Sequence, residues 1–138
     1  MNGQEKVIKH LEMTQGAINR LGGNSFLLKS WSMTALVAAM VLMARQDAPN
    51  PYLALTLIVP IAGFWILDGY FLWQERLFRK VYDEIRQQDD TDFEMGILKH
   101  RTAPKCSWIG SVFSVTLVIF YLIEIAFVFL IFAIVSWP

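Results

Sequence analysis

Three long apolar stretches, separated by segments that hold nearly all of the charge, set the pattern of this chain. The first covers residues 25–44 (SFLLKSWSMTALVAAMVLMA), with Lys29 near its start as its one charge. The second covers residues 52–73 (YLALTLIVPIAGFWILDGYFLW) and contains Pro60 and Asp68, and the third covers residues 108–137 and contains Glu124. Each meets the ~20 residues that an α-helix needs to cross ~30 Å of hydrocarbon. Lipid cannot satisfy backbone amides, so the stretches are expected to be helical despite many β-branched and aromatic residues. The third is longer than a crossing requires and should tilt or project beyond the far side.

The segments between them read as helices of another kind. Residues 4–21 place Val7, Ile8, Leu11, Ile18 and Leu21 along one helical face, with Gly22-Gly23 expected to end that helix and Asn24 or Ser25 to cap the next. The second span has no breaker at its inner end and should continue through QERLFRKVYDEIRQQ, where Leu77, Phe78, Val81, Tyr82 and Ile85 form an apolar stripe. The two stripes are expected to pack on each other or on neighbouring subunits; the alternative is an N-terminal helix lying flat on the inner leaflet. Thr91 and Glu94 have capping-box spacing, which predicts a short helix with Met95, Ile97 and Leu98 on its apolar side and Pro104 as its stop. The expected fold class is therefore an all-α integral membrane protein with three transmembrane helices and amphipathic cytoplasmic helices.

Lysine and arginine orient it. Residues 1–29 carry Lys6, Lys9, Arg20 and Lys29, and the 74–107 segment carries Arg76, Arg79, Lys80, Arg86, Lys99, Arg101 and Lys105. Arg45 alone lies in the 45–51 turn, and no basic residue follows Lys105. The N-terminus and large loop are thus expected in the cytoplasm and the C-terminus in the periplasm of a bacterial inner membrane. Trp31, Trp73 and Trp108 would then lie at the inner interface, Tyr52 and Trp137 at the outer. The organisation is a cytoplasmic helix (1–23), a first span (24–44), a periplasmic turn (45–51), a second span (52–73), a cytoplasmic helical extension and loop (74–107) and a third span (108–138).

Composition agrees. Of 138 residues, 55 % are apolar and only 17 % charged, against about a quarter charged in a soluble domain. A soluble helical domain this small could hardly cover three such helices. Residues 1–25 lack the basic tip, short apolar block and cleavage site of a secretory signal, so the first stretch is expected to remain as a span. Net charge is zero, which leaves only regional electrostatics, and the single Cys106 excludes an internal disulfide or cysteine-based zinc site.

Ionisable residues inside spans are costly and are candidates for function. Lys29 and Asp68 each lie roughly one turn, at ~1.5 Å per residue, inside the inner boundary, so an intramembrane ion pair is expected. Glu124 lies deeper, with no basic residue at its depth and only Tyr121 as a local hydrogen-bond partner on its own face. It is held as a neutral acid, faces water in a pore, or bonds across a subunit interface; Glu124 and Tyr121 are the pore or interface candidates. Small residues predict close helix contacts at Ser30, Thr34 and Ala38 and at Gly110 with Ser114. Pro60 with Gly63 predicts a kink that serves as a hinge or a fixed bend. In the loop, Arg76, Arg79, Lys80, Lys99, Arg101 and Lys105 would attract anionic lipid or bind an anionic signal such as a nucleotide or oligonucleotide.

No nucleophile constellation, metal cluster or phosphate-binding glycine loop is present, and His10 and His100 lack motif spacing. No catalytic activity, metal or cofactor is expected. The stretches KHLEMTQGAINRLGGNSFLLKSW and DGYFLWQERLFRKVYDEIR, within residues 8–88, resemble the SLATT-like class of small bacterial membrane effectors of anti-phage defence, in which two spans run into a cytoplasmic helix. The membrane partner of the Hailong nucleotidyltransferase and the membrane proteins accompanying some RNA-targeting CRISPR effectors are similar arrangements. The resemblance implies a pore-forming effector of abortive infection, controlled by a nucleotidyltransferase, its nucleotide product or a nucleic-acid-sensing partner. The third span departs from that pattern. Three helices are too few to enclose a conduit, so an ion path needs a homo-oligomer, with a tetramer favoured and higher orders open. The expected function is a homo-oligomeric channel that depolarises the membrane; the alternative is a non-conducting scaffold that tethers a soluble partner.

Overall fold

The computed structural model describes residues 2–47, 50–104 and 106–137. Its elements are α1 (Gly3–Ala44), α2 (Tyr52–Thr56), α3 (Ile58–Ile85), a 3-10 turn (Ile97–His100), α4 (Trp108–Val112) and α5 (Val115–Ser136), with no strand among the described residues. Helix α1, α2 and α3 taken together (Tyr52–Ile85), and α5 are each long and apolar enough to cross a membrane.

Helix α1 is 42 residues long and runs unbroken through Gly22-Gly23, where an end was expected. Each glycine costs about 1 kcal/mol relative to alanine in a helix. That cost is outweighed by a single packed stripe: Val7, His10, Thr14, Ile18, Ser32, Leu36 and Met43 are buried at helical spacing. Helix α3 is the main partner of α1. At the charged end of the bundle Val7 joins Val81 and Ile85, with Leu11 and Ile97 against them. The two apolar stripes therefore meet in part within one chain, through Val7 and Leu11 against Val81 and Ile85, while Ile8 faces outward. Asn2 opens α1 with a capping box, accepting from the Glu5 amide at 2.8 Å while Glu5 accepts from the Asn2 amide at 3.0 Å.

The second stretch is interrupted. Pro60 has no N–H, so the Thr56 carbonyl loses its helical donor. The regular helix stops at Thr56, and the Leu57 amide instead donates to Ala54 O at 3.1 Å. Helix α3 then runs through Gly63 without a break to Ile85.

The third stretch is two helices rather than one. Phe113 and Ser114 separate α4 from α5, with Ser114 extended (ψ 146°). The cause is tertiary. The Trp65 indole donates to Val112 O at 2.8 Å, and Arg76 donates to Gly110 O at 3.3 Å and to Ser111 Oγ at 3.1 Å. Carbonyls that would have continued the helix are thus held by side chains of α3. Gly69 allows this approach: a Cβ there would overlap Val112 Cγ2 and lie 2.9 Å from Val112 Cα.

Within one chain, the small residues Thr34, Ala38 and Gly110 are not at the tight helix crossing. Thr34 and Ala38 face outward, and the Ser30 and Thr34 hydroxyls donate to carbonyls four residues back on their own helix. Gly110 is exposed. The glycine at a tight crossing is Gly69. The expected helix beginning at Thr91 is also absent. Residues 91–96 are irregular, because Asp90 and Asp92 side chains accept from the Thr91 and Glu94 amides and Thr91 Oγ1 accepts from the Phe93 amide. Such local bonds compete with a helical start.

Candidate functional site

Buried polar side chains form a seam between α1, α3 and α5. Helix α1 supplies Ser25, Lys29 and Ser32 at spacings of four and three residues, one helical face. Helix α3 supplies Asp68, which is completely buried. On α5 the buried residues Leu117, Tyr121, Glu124, Val128 and Ile131 recur at spacings of four and three, so Tyr121 and Glu124 share the inward face.

Asp68 is the centre of the first cluster. Lys29 Nζ donates to Asp68 Oδ2 and, at 2.9 Å, to Ser25 Oγ; Ser25 Oγ in turn donates to Asp68 Oδ1. The Tyr121 hydroxyl adds a donor to Oδ2 at 3.2 Å. A buried carboxylate is tolerable when a charge and several hydrogen bonds surround it, and all three long helices contribute here. Trp65 stacks on the Tyr121 ring at 5.6 Å with a 10° interplanar angle, which fixes the phenol while its indole anchors α4.

Glu124 forms the second cluster. It is fully buried inside one chain, and Ser32 Oγ donates to its Oε2 at 2.6 Å. Tyr121, the one local partner that α5 offers Glu124, turns instead to Asp68, and the donor to Glu124 comes from α1. Glu124 Oε1 has no hydrogen-bond partner among the described residues. Beside Ser32, a cavity of about 20 Å³ lies against Leu57, Pro60 and Phe64. That is room for about one water molecule, not for a hydrated ion.

The five described basic loop candidates have separate surroundings. Arg76 holds α4 as described, Arg79 pairs with Glu75 at 2.7 Å, and Lys99 pairs with Glu84 at 2.9 Å. Arg101 lies over the Trp73 ring at 5.5 Å, Lys80 is exposed on α3, and Lys105 lies outside the described residues. The Lys99 contact and the His100 hydrogen bond hold the Glu84 carboxyl below its ordinary range.

A third polar contact was not legible from spacing. His10 is 1 % exposed; its Nδ1 meets Thr91 Oγ1 at 2.8 Å and its ring lies 5.5 Å from Phe93. Phe93 has φ 65°, an uncommon conformation for a bulky residue. Burial pushes the imidazole below its ordinary value, opposed by the nearby Asp92 carboxylate. The loop is thereby fastened to the first third of α1, together with the Lys6–Asp90 pair at 3.3 Å.

No group of three or more histidine, cysteine or acidic side chains suited to a metal ion occurs among the described residues. No family model matches the chain, and neither the curated proteins nor the solved structures contain a match to it.

Proposed function

We propose that this protein is a bacterial inner-membrane channel, assembled from several copies, that depolarises the cell as an anti-phage defence effector. Its N-terminus and charged loop lie in the cytoplasm and its C-terminus in the periplasm, as the distribution of lysine and arginine favours. The observation that supports it most is the polar seam. Lys29, Asp68 and Glu124 are ionisable residues within helices apolar enough to span a bilayer, where such residues are costly and mark candidate ion or proton pathways. With Glu124 buried and held by Ser32, and a cavity of only about 20 Å³ next to Ser32, this bundle corresponds to the closed form. Opening requires α5 to separate from α1 and present Glu124 to a path shared between subunits. The outward Thr34 and Ala38 face of α1 suits helix contact between copies, and a tetramer is the smallest ring favoured. The trigger is a nucleotidyltransferase, or its nucleotide or oligonucleotide product, acting on the loop and the first third of α1.

Purified protein in detergent should run as a multiple of 15.8 kDa and give stepwise conductance in planar bilayers when triggered. Glu124→Gln should change conductance or selectivity. A strictly monomeric, non-conducting protein would sink the channel reading. The enclosure of Glu124 within a single chain favours a second reading, a non-conducting scaffold that tethers a soluble partner through its cytoplasmic helices. That reading expects Glu124→Gln to leave partner capture unchanged.

A further inference from the structure

We propose that the groove between α3, the 3-10 turn and α4 binds the headgroup of an anionic phospholipid, with Arg101 as its phosphate-binding residue. The site rests on the membrane reading above but goes beyond it, because it selects one of six basic candidates and assigns a ligand.

The groove is lined by Tyr70, Trp73, Arg101, Cys106, Ser107 and Trp108 and has a volume of about 450 Å³, within the range of small-molecule sites. No acidic residue lines it. Whereas Arg79 and Lys99 are neutralised by Glu75 and Glu84, the Arg101 guanidinium has no carboxylate within ion-pair distance among the described residues. It rests instead on the Trp73 ring, leaving its planar fork of donors for the two oxygens of a phosphate. The platform is rigid, since the Trp73 indole donates to Cys106 O at 2.8 Å. Trp73 is also the last apolar residue of the second span, and tryptophan and tyrosine favour the headgroup level. Next to the groove, α4 exposes Trp108 and Ile109, and the residue after it, Phe113, is also exposed; together they form an apolar flank for acyl chains. A soluble phosphate compound would leave that flank bare, which favours the lipid.

Native mass spectrometry of the detergent-purified full chain, titrated with phosphatidylglycerol or phosphatidylcholine, tests the site. The chain should prefer phosphatidylglycerol, and Arg101→Gln should weaken that binding about ten- to hundredfold, the scale of one charge-assisted hydrogen-bond set, with phosphatidylcholine unaffected. Arg86→Gln removes an equal charge from the exposed end of α3 and should change it less than about twofold. Equal weakening by both variants would reduce the site to diffuse attraction and overturn it. Absence of phosphatidylglycerol preference would also overturn it, as would Arg101-dependent binding that millimolar inorganic phosphate abolishes. Alkaline carbonate extraction of wild-type membranes separates the two readings: release of the wild type into the soluble fraction would count against membrane insertion, not against the choice of Arg101.

Discussion

Removing either half of the Lys29–Asp68 pair should have unequal consequences, because the two ends differ in their access to water. The Asp68 side chain is 0 % exposed and that of Lys29 is 19 % exposed. In Lys29→Met, the carboxylate keeps the Ser25 and Tyr121 hydroxyls but loses the one countercharge it has among the described residues, and it cannot reach solvent. Breaking a buried pair in this way costs about 3–5 kcal/mol, and the two remaining donors place the variant near the lower end. In Asp68→Asn, the single amide oxygen accepts from Ser25 while the amide NH2 takes the place of the oxygen that faced Tyr121 and donates to its hydroxyl, and Lys29 can extend its ammonium along the stem toward the headgroups. The expected loss is about 1–2 kcal/mol, a lost charge-assisted hydrogen bond without a stranded ion. Replacing both residues, as Lys29→Met with Asp68→Leu, should recover most of the Lys29→Met loss, since an apolar pair has no charge to strand. Reversible unfolding in mixed micelles, titrated with a denaturing detergent, gives all three free energies. If Asp68→Asn is as damaging as Lys29→Met, the exposure argument is wrong and the pair does not govern stability through stranding.

Two further outcomes follow from the same packing. Gly69→Ala should gain about 1 kcal/mol of helix propensity but force Val112 and α4 away, at a cost of roughly 1–3 kcal/mol; the net effect is destabilising and partly relieved by Val112→Ala. A more stable Gly69→Ala protein would mean that α4 does not sit against α3. For His10, burial lowers the folded-state value below 6.5, so the imidazole takes up a proton more readily when the loop is detached and the contact weakens as pH falls below 6.5. Hydrogen exchange, corrected for intrinsic rates, should show residues 3–18 and 89–94 better protected at pH 7.5 than at pH 5.5, a difference absent in His10→Gln. Protection that does not vary with pH in the wild type would remove His10 from the fastening of the loop.

The legible parts of this protein are those decided by local chemistry. Three stretches of sufficient length and hydropathy must be helical if they lie in lipid, and the stripes of Val7 and Leu11 and of Val81 and Ile85 follow from a 3.6-residue period. The depth match of Lys29 and Asp68 needed only the rise of a helix. Ser25 at four residues before Lys29 was visible in the same count, and it could have been added to the pair.

What tertiary structure decided lies wherever a partner comes from far along the chain. Glu124 seemed to have one neighbour when judged from its own helix, but its donor is Ser32, and Tyr121 is drawn away to Asp68. The break at Phe113-Ser114 has no proline to announce it; it arises because Trp65 and Arg76 take the carbonyls of α4. Conversely, Gly22-Gly23 looked like a stop, yet packing of the α1 stripe keeps the helix intact. Sequence alone determined three apolar helices and which residues are too polar to rest easily in them, since helix formation and transfer to lipid are properties of a segment. Which hydroxyl meets which carboxylate, and where a helix yields its carbonyls to a neighbour, only the assembled bundle decided, because a buried polar group takes whatever donor the opposing face brings within reach.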